Sequence, residues 1–380
     1  MPHANRMLYI DNLRLTIIII VVMIHFAVTY SGIGGWYYIE VHHLDLASQL
    51  FFSFFHMFTQ SYFMGVLFLV SGYFTQRSHS RKGLRQFIAD RFVRLGIPTL
   101  FYMLVIHPFI LYYLLDLSWI RPKPSLAMFY SGYLGKGAVL SGTGPLWFAL
   151  ALLIFSLLYA GIRRMMRGRR MRRTLPLPTT LHILVIILLI TVASFLVRLK
   201  YPIGTNICSM QLCYFSQYIV LFIVGVLAAR SGWFDAFPAQ MGRRWLLAGT
   251  LLGTVAWGVL IAAGGAMQGH IAWYNGGMHW QSAATALWGT AVGMALSIGL
   301  LIFFREHCNR QPPLLKFCAD NAFAVYVTHA PIIVALSLAM NSVSLPPLLK
   351  FFAMDILGIV VCFLCAGLVI RKIPLLKAVL

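Results

Sequence analysis

The sequence predicts an all-α integral-membrane protein, a bundle of about ten transmembrane helices with both termini cytoplasmic. Three observations carry this. Of 380 residues, 60% are hydrophobic and only 10% are Asp, Glu, Lys or Arg, with a mean hydropathy of +0.81; a soluble domain carries about 25% charged residues. Apolar runs long enough to cross a bilayer as helices recur along the whole chain, and they are continuous, whereas a transmembrane β-barrel needs short alternating segments. Finally, 30 Lys and Arg against 9 Asp and Glu, a net charge of +21, fall unevenly between the two sides of the predicted membrane.

The predicted spans, in order, cover 15–34, 51–74, 93–115, 145–162, 181–198, 211–229, 245–264, 281–304, 318–340 and 347–370. An even number leaves both termini on one side. That side collects 24 basic residues: Arg6, Arg14, the six from Arg77 to Arg94, the seven from Arg163 to Arg173, Arg230, Arg243, Arg244, Arg305, Arg310, Lys316, Arg371, Lys372 and Lys377. The other side has 6: Arg121, Lys123, Lys136, Arg198, Lys200 and Lys350. The positive-inside rule puts the richer side in the cytoplasm. Most of the net charge is therefore topological, and no nucleic-acid partner is needed to explain it. The run RRMMRGRRMRR from Arg163 to Arg173 reads as a topogenic loop against anionic lipid headgroups. Connections between spans are too short to hold a separate core, so 1–380 reads as a single membrane domain with no appended soluble one. The polar stretch Met1 to Asn12 leads into an apolar run long enough to remain as a first span, not a cleaved signal.

Ionisable groups inside such spans are costly and mark function. Span one, YIDNLRLTIIIIVVMIHFAVTY, places Arg14 and His25 eleven residues apart. That is about 20° past three full turns and about 16 Å along the axis, so both face one way. Asp11 sits one turn before Arg14 and is positioned to pair with it. The result is a polar stripe leading from the cytoplasmic edge to a mid-membrane imidazole, a base of near-neutral pKa suited to activating a hydroxyl. The following loop holds Glu40, His42, His43 and Asp45, metal-ligand residue types, but adjacent histidines point apart and a solvated loop is expected. In span two, His56 reads as core packing and Ser71–Gly72 as a close helix contact; His107, before Pro108 in span three, also reads as packing. Trp147 opens span four at the outer interface, where tryptophan is enriched. Cys208 and Cys213 share an outer loop where a disulfide is geometrically open. Span seven is interrupted by glycines. In span nine His329 lies beside Pro331, with Tyr326 one turn earlier on its face. Cys362 and Cys365, one turn apart in span ten, read as packing residues, and no metal site is predicted.

The ordered motifs are similar to those of the membrane-bound acyltransferase 3 family. YIDNLR, ten residues after Arg14 and then His25 resemble the family's first helix; YFMGVLFLVSGYF (Tyr62 to Phe74) its second; RFVRLGIP (Arg91 to Pro98) its Arg-x-x-Arg element. GPLWFALALL (Gly144 to Leu153) and YVTHAPII (Tyr326 to Ile333) follow in the family's order. The stretch RLGIPTLFYMLVIHPFILYY and the closing VIRKIP look most like the glucan biosynthesis protein C branch, whose members are taken to succinylate periplasmic glucans. The resemblance implies an O-acyltransferase of the bacterial inner membrane that moves an acetyl or succinyl group from cytoplasmic acyl-CoA to a hydroxyl of an extracytoplasmic carbohydrate. His25 is the implied base. Arg91 and Arg94 are placed to meet the CoA phosphates, and Arg14, oriented by Asp11, to hold the pantetheine arm or the leaving thiolate. His329, Tyr326 and Trp147 are candidate substrate contacts, with acceptor choice expected in outer loops such as 118–143. The other class consistent with ten spans and intramembrane Arg and His is a transporter or permease for a small solute or an acylated carrier, though no half-to-half repeat is visible.

Overall fold

The computed structural model describes residues 6–40, 43–115, 123–166 and 174–373. His42, Arg121, Lys377, the polybasic stretch 167–173 and part of the 118–143 loop, all considered above, lie outside these residues. Ten helices are long and apolar enough to cross a membrane: α1 (Leu8–Ser31), α2 (Leu46–Lys82), α3 (Leu84–Leu114), α4 (Gly144–Met165), α5 (Thr180–Lys200), α6 (Leu212–Ser231), α7 (Ala239–Gln268), α8 (Trp280–His307), α9 (Pro313–Ala339) and α10 (Pro347–Lys372). Among the described residues there is no strand. Each predicted span is present, with some ends moved. The second is the longest, at 37 residues, because Asp45 caps it, accepting from the Ser48 amide, and Gly83 ends it at φ 76.

Helix α1 is central, packing against α2, α8, α9 and α10, with Leu13, Val22 and Phe26 fully buried. In lipid, helices gain nothing from leaving water, so small residues that let backbones approach do the work. The Ser71–Gly72 contact expected from sequence is one of these. A Cβ on Gly72 would stand 2.1 Å from the Phe222 carbonyl oxygen of α6, and one on Gly225 2.0 Å from that of Leu69. The glycines of α7 serve α8 in the same way: Gly242, Gly249 and Gly253 seat Ile302, Leu296 and Val292 in turn.

Helix α3 carries Pro98 and Pro108 and widens into π-helical turns at Phe92–Gly96, Tyr102–Ile106 and Ile110–Leu114. Pro108 has no N–H to offer the preceding turn, and within a membrane a freed carbonyl needs another donor. The short helix Leu126–Gly135 supplies two, Tyr130 Oη to the Leu104 oxygen at 2.9 Å and Tyr133 Oη to the Met103 oxygen at 2.8 Å. At the end of the bundle where α1 begins and α10 ends (the terminal end), α1, α9 and α10 are clasped together. Arg6 reaches Asp11 at 2.5 Å and Asp320 at 2.8 Å, while Arg371 donates to the Asp320 carbonyl at 2.8 Å. The opposite end is called distal below. All six cysteines are free, so Cys208 and Cys213 are not joined.

Candidate active site

His25 lies in the last third of α1, and the chain returns to cover it. Gly32 ends the helix in the left-handed region at φ 68, which a residue without Cβ adopts freely. The following strap, 32–40, folds back over the bundle. Trp36 stacks on the His25 imidazole with centroids 3.7 Å apart and planes 14° from parallel. His329 of α9 stacks with it at 5.1 Å and 17°, and Tyr326 lies 6.3 Å from His329. His25, His329 and Tyr326 therefore lie side by side in space, with Trp36 added.

The hydrogen bonding of this stack is incomplete. His329 Nδ1 faces two carbonyl oxygens, Tyr326 at 2.8 Å and Val325 at 3.2 Å. Carbonyls only accept, so the proton sits on Nδ1 and Nε2 keeps a lone pair; that Nε2 is buried without a partner. Trp36 Nε1 and His25 Nδ1 are also buried without partners, whereas His25 Nε2 is neither bonded nor enclosed. Buried polar atoms in native proteins are almost always paired. A donor, an acceptor and an imidazole left open within 6.3 Å of one another form a receptive surface for a polar ligand that both donates and accepts, as a hydroxyl does.

Two supports fix the strap. The Glu40 amide bonds the Thr29 carbonyl at 2.9 Å, and its carboxylate meets Lys350 Nζ at 2.5 Å, with side chains only 9% and 2% exposed. Lys350 also donates to the Val343 carbonyl at 2.9 Å. The expectation of a solvated loop is thus corrected at Glu40, although His43 and Asp45 are exposed. Next to Trp36, Tyr37 Oη contacts His107 Nδ1 at 2.7 Å and Tyr102 Oη at 3.0 Å. His107, expected to be simple packing, is therefore part of a polar trio. Burial raises the Tyr37 phenol well above its ordinary pKa, keeping it protonated at neutral pH. Gly144 makes room for the trio: at φ 47, a Cβ there would sit 2.7 Å from Tyr37 Oη.

A model of the acyltransferase domain of the acyltransferase 3 family matches residues 7–367. The chain belongs to the acyltransferase 3 family. No curated protein and no solved structure gives a significant match.

In this membrane acyltransferase the terminal end is cationic. Arg14 is 48% exposed and 3.9 Å from Asp11, whose closer partner is Arg6. Hydrogen bonds from Asp320 and Asp11 raise the Arg6 guanidinium pKa. Arg91 and Arg94 lie three residues apart on α3, near the end of the bundle where Arg14 lies. Arg91 also contacts Thr75 Oγ1 at 3.4 Å and covers the Phe87 ring. A shallow open depression of about 460 Å³, lined by Lys82, Gly83, Leu84, Arg85, Gln86 and Ala89, lies at this end and not beside His25. Between Arg14 and His25, Ile18 and Val21 of the same stripe are 7% and 5% exposed, a constriction and not an open shaft.

Trp147 is placed elsewhere in the acyltransferase, near Tyr218 and Phe215 of α6 at 6.0 and 6.2 Å. His56 approaches Ser31 Oγ at 3.4 Å. Sequence reasoning missed three groups: Trp36, the Glu40–Lys350 pair and Asp355 of α10. Asp355 is 3% exposed with both carboxylate oxygens unpartnered. An acid inside the tenth apolar run was a visible signal; nothing local marks Trp36. Among the described residues no three His, Cys, Asp or Glu side chains converge as metal ligands.

Proposed function

We propose that this protein is an O-acyltransferase that takes an acyl group from cytoplasmic acyl-CoA and delivers it to a carbohydrate hydroxyl at the outer face of the bacterial inner membrane. The observation that carries the reading is His25, covered on one face by Trp36 and bordered by His329 with Nε2 open, on the same helix face as Arg14. Coenzyme A phosphates meet Arg91 and Arg94 through charge-assisted bonds, and the thioester arm runs from Arg14 toward His25 when the constriction at Ile18 and Val21 parts to admit it. His25 Nε2 removes the acceptor hydroxyl proton as the oxygen attacks the thioester carbonyl. The C–S bond then breaks and the imidazolium returns the proton to the thiolate, giving ester plus thiol with His25 restored. Trp36 offers an aromatic face beside the acceptor, and its indole N–H and His329 Nε2 bond the sugar. An acetyl or succinyl donor and a glucan acceptor are the narrower form, supported by the motif resemblance alone. The excess of basic residues at the terminal end favours cytoplasmic termini.

The test uses purified full-length protein with radiolabelled acyl-CoA and an acceptor glycan. Label should move to the glycan, and His25→Ala should lower the rate about 10²- to 10⁴-fold, the usual contribution of a general base, while remaining folded. His25→Gln should not rescue it. Solute movement without thioester cleavage would overturn the reading in favour of a transporter.

A further inference from the structure

A second unsatisfied site lies at the distal end of α5, on a helix that is otherwise mostly exposed to lipid. Its one buried stripe is Ile183, Ile187, Ile190, Ser194 and Arg198, at the three- and four-residue spacing of a single helix face. The last member is a cation. Arg198 is 4% exposed, and its Nε and Nη1 are enclosed with no hydrogen-bond partner; its Nη2 is neither bonded nor enclosed. The Tyr214 ring lies 5.8 Å from the guanidinium carbon.

No described acid answers this charge. Asp11 and Asp320 serve Arg6, Asp90 serves Lys82, Glu306 serves Arg305, Glu40 serves Lys350, and Asp45 caps α2. Asp235 lies at the terminal end near Arg305, and Asp355 has no partner of either kind. A guanidinium cannot escape by losing its proton, and an unpaired buried charge is strongly unfavourable. The surroundings are also well defined. The 201–211 loop turns sharply through Cys208 and Ser209 at φ 50 and 61. It is tied down by Thr143 Oγ1 to the Cys208 carbonyl at 3.0 Å, Ser209 Oγ to the Ser141 carbonyl at 2.9 Å, and the Ile203 amide to the Asn275 carbonyl at 2.9 Å. Gly276 packs against the Arg198 carbonyl itself.

We propose that Arg198 is the floor of an oxyanion-binding site at the distal membrane surface, for a phosphate or carboxylate group that completes its hydrogen bonding through Nη2 and the enclosed Nε and Nη1. Leu196 and Leu199 at this end of α5 and Ile207 in the loop that follows are exposed, so the surface at this end of the bundle carries apolar groups, as an anionic lipid would meet. A soluble anion has the same recognition chemistry. The site is independent of the acyl-transfer reading.

Full-length protein is placed in phosphatidylcholine nanodiscs with or without phosphatidylglycerol, and separately in phosphatidylcholine nanodiscs titrated with inorganic phosphate. The readouts are Tm and lipid retention by native mass spectrometry. Wild-type Tm should rise with one of the two anions, and phosphatidylglycerol retention should fall about tenfold, one decade of affinity, in Arg198→Gln. Arg198→Gln, relieved of a buried charge, should be no less stable than wild type in neutral lipid and insensitive to either anion. Lys200→Gln, which removes an exposed charge two residues away, should behave as wild type. A response to phosphatidylglycerol alone assigns the site to a lipid headgroup; a response to phosphate alone assigns it to a soluble anion. If neither anion distinguishes wild type from Arg198→Gln, or if Lys200→Gln loses the effect equally, the proposal is overturned.

Discussion

Trp36 lies over one face of His25 at 3.7 Å and His329 stands to the side at 5.1 Å, the two neighbours 6.3 Å apart, so Trp36 shuts that face to an attacking hydroxyl while Nε2 stays open. Trp36 then shapes the acceptor side, and Trp36→Ala should raise the acceptor KM about tenfold, the scale of one lost contact, with the donor KM unchanged. The opposite pattern belongs to the other end: Arg91→Ala with Arg94→Ala should raise the KM for acyl-CoA more than that for the acceptor. Steady-state kinetics with each substrate varied in turn checks both, and an unchanged donor KM would return the two arginines to a topological role. Of the residues legible in sequence, Tyr326 and His329 share a face because helical periodicity fixes it, and His25 meets them because α1 packs on α9. Trp147 does not join them, because belonging to a motif says nothing about which neighbouring helix a side chain will meet.

The strap after α1 and the α2–α6 seam are the elements on which the site's geometry rests. The strap is pinned by an ion pair 310 residues apart in sequence, Glu40 with Lys350. Removing one partner of such a buried pair costs about 3–5 kcal/mol, and replacing both by apolar groups can be neutral. Lys350→Met should therefore lower Tm and activity together, and adding Glu40→Leu should recover much of the Tm, as thermal unfolding in detergent would report. The seam has no slack at Gly72 and Gly225, where any side chain meets backbone. Gly72→Val should cost about 1–3 kcal/mol as overpacking, whereas Gly161→Val on α4, where a Cβ meets nothing within 4 Å, should cost far less. The ten spans were legible from hydropathy, but the long second helix was not, because its first and last turns are polar and its limits are set by the Asp45 cap and Gly83.

Across the whole molecule, the charge asymmetry and the even number of spans predict that a reporter fused after Leu380 will read as cytoplasmic; an external signal would overturn either the span count or the orientation read from charge. The sequence by itself determined the membrane class, the ten helices and the Arg14–His25 stripe, since hydropathy and helical period depend only on residues close together along the chain. It also carried the family, through motifs kept in order. Only the tertiary structure decided that Trp36 covers His25, that Glu40 is buried on Lys350, and that Arg198 is enclosed without a counter-charge. Each of these depends on which segments remote in sequence become neighbours, and that is set by the packing of helix against helix at their small residues, a property no single segment contains.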